Sequence, residues 1–186
     1  MILPIYAYGQ PVLKKKAGNI EPTYPNLQAL IADMYETMYE ANGVGLAAPQ
    51  IGLGIRLFVI DSEQIVKEDA PDHVGFKKVF INAQKLEESG TKWAYEEGCL
   101  SIPNIRGEVM RPPTLTIRYF DENFVEHTET FDGINARVIQ HEYDHIDGIL
   151  FTDHLTPVKR TLIRTKLDNI MKGKAKAEYR LKFLSK

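Results

Sequence analysis

The segment Gln140-His141-Glu142-Tyr143-Asp144-His145-Ile146-Asp147-Gly148 constrains this chain more than any other. On a helix, His-Glu-x-x-His puts two imidazoles on one face, one turn apart, with a carboxylate beside them. Two neutral imidazole nitrogens at that spacing can grip one transition metal, and the glutamate can take a proton from the water that metal activates. Asp132-Gly133 reads as the helix start, with Asp132 as N-cap, and Gly148 as its stop. At about 100° per residue, Ile134, Val138, His141 and His145 fall on one stripe, and Ala136, Ile139, Tyr143 and Ile146 on a second. Only Arg137, Gln140, Asp144 and Asp147 remain for a narrow polar side. A surface helix can carry two histidines by chance, but a helix this apolar around most of its circumference belongs in a core. Histidines on its apolar face each need a partner, and one shared metal satisfies both.

A catalytic site of the zinc type needs three protein ligands and an open position. The extended pattern His-Glu-x-x-His-x-x-Gly-x-x-His keeps Gly148 but places Phe151 at the last position, and Phe151 cannot ligate. Metalloproteases that use a downstream glutamate fit poorly too, because no glutamate occurs between Glu142 and Glu178. His154 lies beyond the helix at a spacing that matches no known pattern. That leaves upstream donors, of which Cys99 stands out within Glu96-Glu97-Gly98-Cys99-Leu100-Ser101. A lone cysteine is most often a small buried hydrophobe. Here Gly98 and Ser101 flank it at a strand end, and a thiolate suits a softer metal.

Composition bounds the rest. With 186 residues, 44% of them hydrophobic, the chain can bury one substantial core, so a single domain over 1–186 is expected. The single cysteine forbids an internal disulfide. No segment resembles a signal peptide, a transit peptide or a membrane span, which points to a reducing cytoplasm and no membrane partner. The net charge of −2 gives no reason to expect DNA binding. The charge is uneven, however: ten bases against two acids follow Pro157, and 13 against 23 precede it.

Along the chain, residues 1–24 read as irregular. Residues 25–41 form an amphipathic helix with Leu27, Leu30, Ile31, Met34, Met38 and Ala41 inward. The Gly/Ala-rich run from Asn42 to Gly52 lets backbone approach something closely, a ligand or another strand. Residues 56–61 and 78–82 are strands, 62–75 a surface loop, and 93–99 a third strand. Residues 113–120 and 124–131 form a hairpin around Asp121-Glu122-Asn123. A last helix runs from Thr156 to Met171 with Val158, Leu162, Ile163, Leu167, Ile170 and Met171 inward. The alternation after Ala175 suggests a short terminal strand. Strands in a run with helices apart predict an α+β fold, antiparallel sheets packed around a central metal-binding helix with an N-terminal and a C-terminal helix.

Gly43-x-Gly45-Leu46-Ala47-Ala48-x-Gln50, Glu97-Gly98-Cys99-Leu100-Ser101 and Gln140-His141-Glu142-x-Asp144-His145, in that order, together resemble the peptide deformylase family. The resemblance implies Cys99, His141 and His145 as metal ligands, with Fe(II) the usual ion and zinc, nickel or cobalt able to occupy the site. It implies removal of the formyl group from N-formylmethionyl nascent peptides. Glu142 would move the proton. The Gln50 amide and the Leu100 N–H would stabilise the charge on the formyl oxygen. Gly45 would pair with the substrate main chain, and Val44, Ile134 and Val138, with Tyr95 and Glu97 opposite, would line the methionine pocket. Arg137 stands where the family is commonly aliphatic, which suggests a more polar pocket rim. Arg106 matches a basic residue that helps hold the peptide in some members. In some members a terminal helix docks on the ribosome, and the basic tail here can meet RNA phosphates. It can equally be a solvated helix face with a lysine-rich edge strand. A ribosome-associated protein with a structural metal is the non-enzymatic alternative; a structural site, though, would want a fourth protein ligand.

Overall fold

The computed structural model describes residues 1–69 and 72–184. In chain order the elements are β1 (Ile5–Tyr6), α1 (Leu27–Glu40), β2 (Gly45–Ala47), β3 (Leu57–Asp61), α2 (Glu63–Asp69), β4 (Lys77–Ser89) and β5 (Trp93–Cys99). β6 (Ile102–Arg111), β7 (Thr114–Phe120), β8 (Glu126–Asp132), α3 (Gly133–Ile146), α4 (Pro157–Met171) and β9 (Leu181–Lys182) follow. Five strands form one antiparallel sheet in the order β2-β3-β4-β7-β8, and β5 and β6 pair as a separate antiparallel ribbon. No helix among the described residues is long and apolar enough to cross a membrane.

The five-stranded sheet has apolar packing on both faces, which is why β3 is an unbroken buried run rather than an alternating one. Leu57 and Val59 join Ile31, Met34 and Met38 of α1 in one cluster. Phe58 and Ile60 join Ala136, Ile139, Tyr143 and Ile146 of α3 in another, where Phe58 and Phe80 stack at 4.8 Å. α3 is therefore a core helix, as its pattern predicts. A third cluster joins β6 to α4 through Ile105, Val109, Ile163 and Ile170.

Several expectations are corrected. The supposed loop 62–75 contains α2, whose turn begins as the Ile65 and Val66 amides donate to Ser62 O; Pro71, one of its loop signals, lies outside the described residues. β6, for which the sequence reading offers no element, alternates in burial from Pro103 onward. Two of its inward positions are Gly107 and Arg111, so the apolar period is erased in the sequence. Asp132 makes no side-chain cap; Gly133 N instead donates to Pro113 O at 3.0 Å. On α4, Ile163 and Ile170 are buried and Leu167 half-buried, but Val158 and Leu162 are more than 70% exposed and Met171 is also exposed. The surface it meets is narrow, and only the i, i+4, i+7 line reaches it. Residues 1–24 are not wholly irregular: β1 pairs with β9 in parallel, whereas the other strand pairs among the described residues are antiparallel, and Gly18 forms a parallel bridge with Ile55.

Gly148 ends α3 as expected. Its φ is +74°, its N–H donates to His145 O, and Ile149 N reaches back to Asp144 O. A Cβ there would stand 2.8 Å from the Lys14 carbonyl. Gly148→Ala is expected to cost about 1–3 kcal/mol of stability through left-handed strain and that collision, as measured by urea unfolding.

Candidate metal centre

α3 carries His141, Glu142 and His145 inward, and the His141 and His145 ring centres are 5.2 Å apart. Cys99, at the end of β5, faces them: its Sγ lies 3.4 Å from His145 Nε2. One donor atom from each of the three residues lies within 4.8 Å of the others. Gln50 completes the arrangement. Its Oε1 accepts from Ala47 N at 3.0 Å, which turns its Nε2 toward Cys99 Sγ at 3.4 Å and Ser101 Oγ at 3.2 Å.

His141 is oriented from behind. Glu97 accepts from His141 Nδ1 at 2.8 Å, leaving Nε2 to face Cys99. The same carboxylate accepts from Arg111 Nε and Nη2 at 2.8 and 2.9 Å, and from Arg137 Nη1 at 2.9 Å. Arg111 continues to Asp144 at 2.8 Å, and Asp144 pairs with His154 Nε2 at 2.8 Å. His154, an alternative ligand by sequence, is thus held away by Asp144. Phe151, which stands where a longer motif would carry histidine, lies roughly parallel to the His141 ring at 6.2 Å.

The electrostatics follow from burial and these partners. Burial works against Glu97 ionising, yet the bonds from His141 and Arg111 hold it well below the usual carboxylate range. Burial pushes Glu142 up to about 7, and burial together with neighbouring His141 pulls His145 down to about 3. Burial also opposes charge on His141, but Cys99 and Glu97 outweigh it and raise the imidazole well above its ordinary value. These partners favour positive charge at His141, and a metal ion held by the same donors would supply that charge in place of a proton. Glu142 Oε2 and His145 Nδ1 are buried with no hydrogen-bond partner, and the mixed sulfur–nitrogen donor set suits a transition metal. The residues fit such an ion.

Above the centre opens a cavity of about 870 Å³. Val44, Gly45, Gln50, Tyr95, Glu97, Cys99, Leu100, Arg106, Arg137, Val138, His141 and Glu142 all line it. Ile134 does not. It shares the stripe of His141, but seven residues of helix put it about 10 Å away along the axis. Glu97 is 4% exposed, and its oxygens are taken by arginine and histidine rather than offered to a ligand. Arg137 is 1% exposed, so it does not make the rim polar. Its guanidinium lies over Trp93 at 4.5 Å and donates to Trp93 O, Val109 O and Glu97. Arg106 is at the rim, donating to Glu96 O. Sequence reasoning does not reach Arg111, for which no local signal exists, or Ile65, which sits on α2 where the polar pattern predicts a loop. A Cβ at Gly45 would stand 2.6 Å from Glu142 Oε1, so the glycine allows the backbone to approach this buried carboxylate closely.

Three donors that could hold one ion, one fewer than a closed structural zinc site uses, with a buried carboxylate and an aimed amide beside them, fit the class of metal-dependent hydrolases. The family model of polypeptide deformylases matches residues 2–161, and the chain belongs to that family. The chain is 56% identical to the peptide deformylase of Flavobacterium psychrophilum over all of this chain and 99% of that protein. It is 57% identical to that of Flavobacterium johnsoniae over 98% and 96% of the two chains. A crystal structure of a peptide deformylase from Legionella pneumophila superposes with a TM-score of 0.80 at 39% identity, covering 95% and 99%. The chain is accordingly a metal-dependent hydrolase of protein biosynthesis, removing the formyl group from the N-terminal formylmethionine of new polypeptides.

In the buried cluster of two carboxylates and two guanidiniums, Arg111 is the residue that bonds both carboxylates, so its loss leaves Glu97 to Arg137 and His141 and Asp144 to His154. Arg111→Leu is expected to destabilise the metal-free protein by about 3–5 kcal/mol in urea unfolding, because Glu97 and Asp144 stay buried without it.

Proposed function

We propose that Cys99, His141 and His145 hold the ion, with Fe(II) resident in the cell and Zn(II), Ni(II) or Co(II) able to replace it, and that 1–186 act as one catalytic domain. The observation that carries the reading is the convergence of these three donors beside Gln50 Nε2. When bound, such an ion supplies Lewis acidity, making water nucleophilic near neutral pH. Glu142 takes the proton from the attacking water and returns it to the departing amine. Its buried position favours this exchange, since a carboxylate held near 7 gives up and regains a proton readily, although a cation beside it draws that value down. Gln50 Nε2 and the Leu100 N–H donate to the formyl oxygen as charge develops there.

β2 is the edge strand of its sheet and lies at the cavity, which supports pairing of Gly45 with an extended peptide. Val44, Tyr95 and Val138, with Ile65, offer the methionine side chain an apolar wall. Glu97 and Arg137, paired with each other, form a buried polar part of the lining, and Arg106 meets the peptide at the rim. Ile134 is left out of the pocket.

The ordered comparison is among acyl groups. Formyl-Met-Ala-Ser should be hydrolysed, acetyl-Met-Ala-Ser far more slowly, and internal peptide bonds not at all; appreciable cleavage of internal bonds would instead make the site a protease. In Glu142→Ala, kcat should fall by about 10²–10⁴, while metal analysis of the anaerobically purified variant still finds iron. Surviving turnover would remove Glu142 from its role.

The excess of bases beyond Pro157 faces solvent at Arg160, Arg164, Lys166, Lys172, Lys174 and Lys176, which supports contact with ribosomal RNA near emerging chains. Co-sedimentation with ribosomes should fall steeply as salt rises and be weakened by Lys172→Glu with Lys174→Glu. Binding that ignores salt would count against it.

A further inference from the structure

The residues after α4 return to the site. Lys176, Ala177, Glu178 and Tyr179 line the same cavity as Cys99 and Glu142. This strap is built in at several points. Asn104 Nδ2 donates to Lys176 O at 2.9 Å. Ile5 N and Ala7 N donate to Arg180 O and Lys182 O at 2.9 and 3.0 Å, and Gln10 Nε2 to Phe183 O at 2.8 Å. Tyr179 itself is half-buried, packs against the α1 cluster together with Leu100, and donates its hydroxyl to Leu100 O at 2.7 Å.

That last bond lands on the turn that carries the metal ligand and the proposed oxyanion donor. At the turn between β5 and β6, Cys99 and Leu100 line the cavity and Ser101 is buried beside them. The N-terminal segment holds one side of this turn, through Tyr8 N donating to Ser101 O at 2.8 Å. Gln50 holds the Ser101 hydroxyl at 3.2 Å. Tyr179 holds the Leu100 carbonyl. A peptide unit pinned at its carbonyl cannot rotate freely, and the neighbouring amide shares that restraint through one Cα. Preorganised donors matter most in the transition state, since they need not reorient as charge appears.

We propose that the C-terminal strap is part of the active site, and that Tyr179 is a positioning residue that fixes the Leu100 peptide for catalysis. The inference rests on reading the Leu100 N–H as an oxyanion donor. In this account the two chain ends, tied together by β1 and β9, brace the ligand turn from opposite sides.

Tyr179→Phe tests it by removing one oxygen and keeping the ring. On formyl-Met-Ala-Ser, kcat is expected to fall about tenfold, near the effect of one lost hydrogen bond, with inhibition by the product Met-Ala-Ser changed less than twofold. Amide hydrogen exchange across residues 97–103 should quicken, in metal-free protein as well as in the loaded enzyme. Asn104→Ala, which frees the strap at Lys176 without touching the Leu100 turn, should show the same kcat-only pattern more weakly, and it serves if Tyr179→Phe fails to fold. Unchanged kcat in the folded variant overturns the proposal, even if exchange quickens, because the strap is then only a brace. Equal losses in kcat and product binding overturn it as well. Failure of the underlying site assignment would appear separately, as turnover persisting in Glu142→Ala measured alongside.

Discussion

One buried carboxylate, that of Glu97, sets the geometry on which the site depends. A charged group removed from water is tolerable only when its oxygens are fully engaged. Here Arg111 from β6 and Arg137 and His141 from α3 supply that engagement. The consequence is mechanical as well as electrostatic. α3 must turn its polar residues toward the β5–β6 ribbon to meet Glu97, and its apolar residues then face the five-stranded sheet. With the helix rotation settled in this way, His141 and His145 face the end of β5, where Cys99 stands. The bond from Nδ1 also leaves the other nitrogen of His141 facing Cys99. One carboxylate thereby selects a helix orientation and the ring nitrogen that stays open to an ion.

Close backbone approach is the second constraint, and it operates where side chains would be in the way. Gly45 lies against Glu142, and Gly43 lies where a Cβ would meet Leu100 at 2.8 Å. Gly45, on the edge strand β2, and Gly43 just before it let the backbone come up against Glu142 and Leu100. The same economy of space appears at the chain ends, which pair with each other and fasten the Cys99-Leu100-Ser101 turn. The helix, the edge strand, the turn and the two end segments around the cavity are each hydrogen-bonded to another part of the fold.

Much of this was readable along the chain wherever a feature repeats with a short period. α1, α3 and α4 lie where apolar residues recur at helical spacing, and the β7–β8 hairpin where they alternate around Asp121-Glu122-Asn123. β6 escaped notice because Gly107 and Arg111 occupy inward positions that an apolar rule expects to be filled by aliphatic residues. α2 escaped because acidic residues and a proline mimic a loop. On α4, periodicity named six inward residues, whereas the available surface accommodated three of them. The polar stripe of α3 shows the limit most directly. Arg137, Gln140 and Asp144 look solvent-facing by composition, yet all are buried. Composition reports what a side chain prefers in water, and a partner reached across the fold can outweigh that preference.

The amino-acid sequence alone determined the α+β composition, the central helix with its paired imidazoles, and, by three motifs in order, the family and its chemistry. Tertiary structure alone decided which polar groups meet: Glu97 with two arginines and His141, Asp144 with Arg111 rather than water, Tyr179 with the Leu100 carbonyl. The reason is range. Periodicity expresses contacts a few residues apart, whereas an ion pair or a clamping hydroxyl joins positions 14 to 79 residues apart, and no local pattern carries information about which distant partner the packed core will bring alongside.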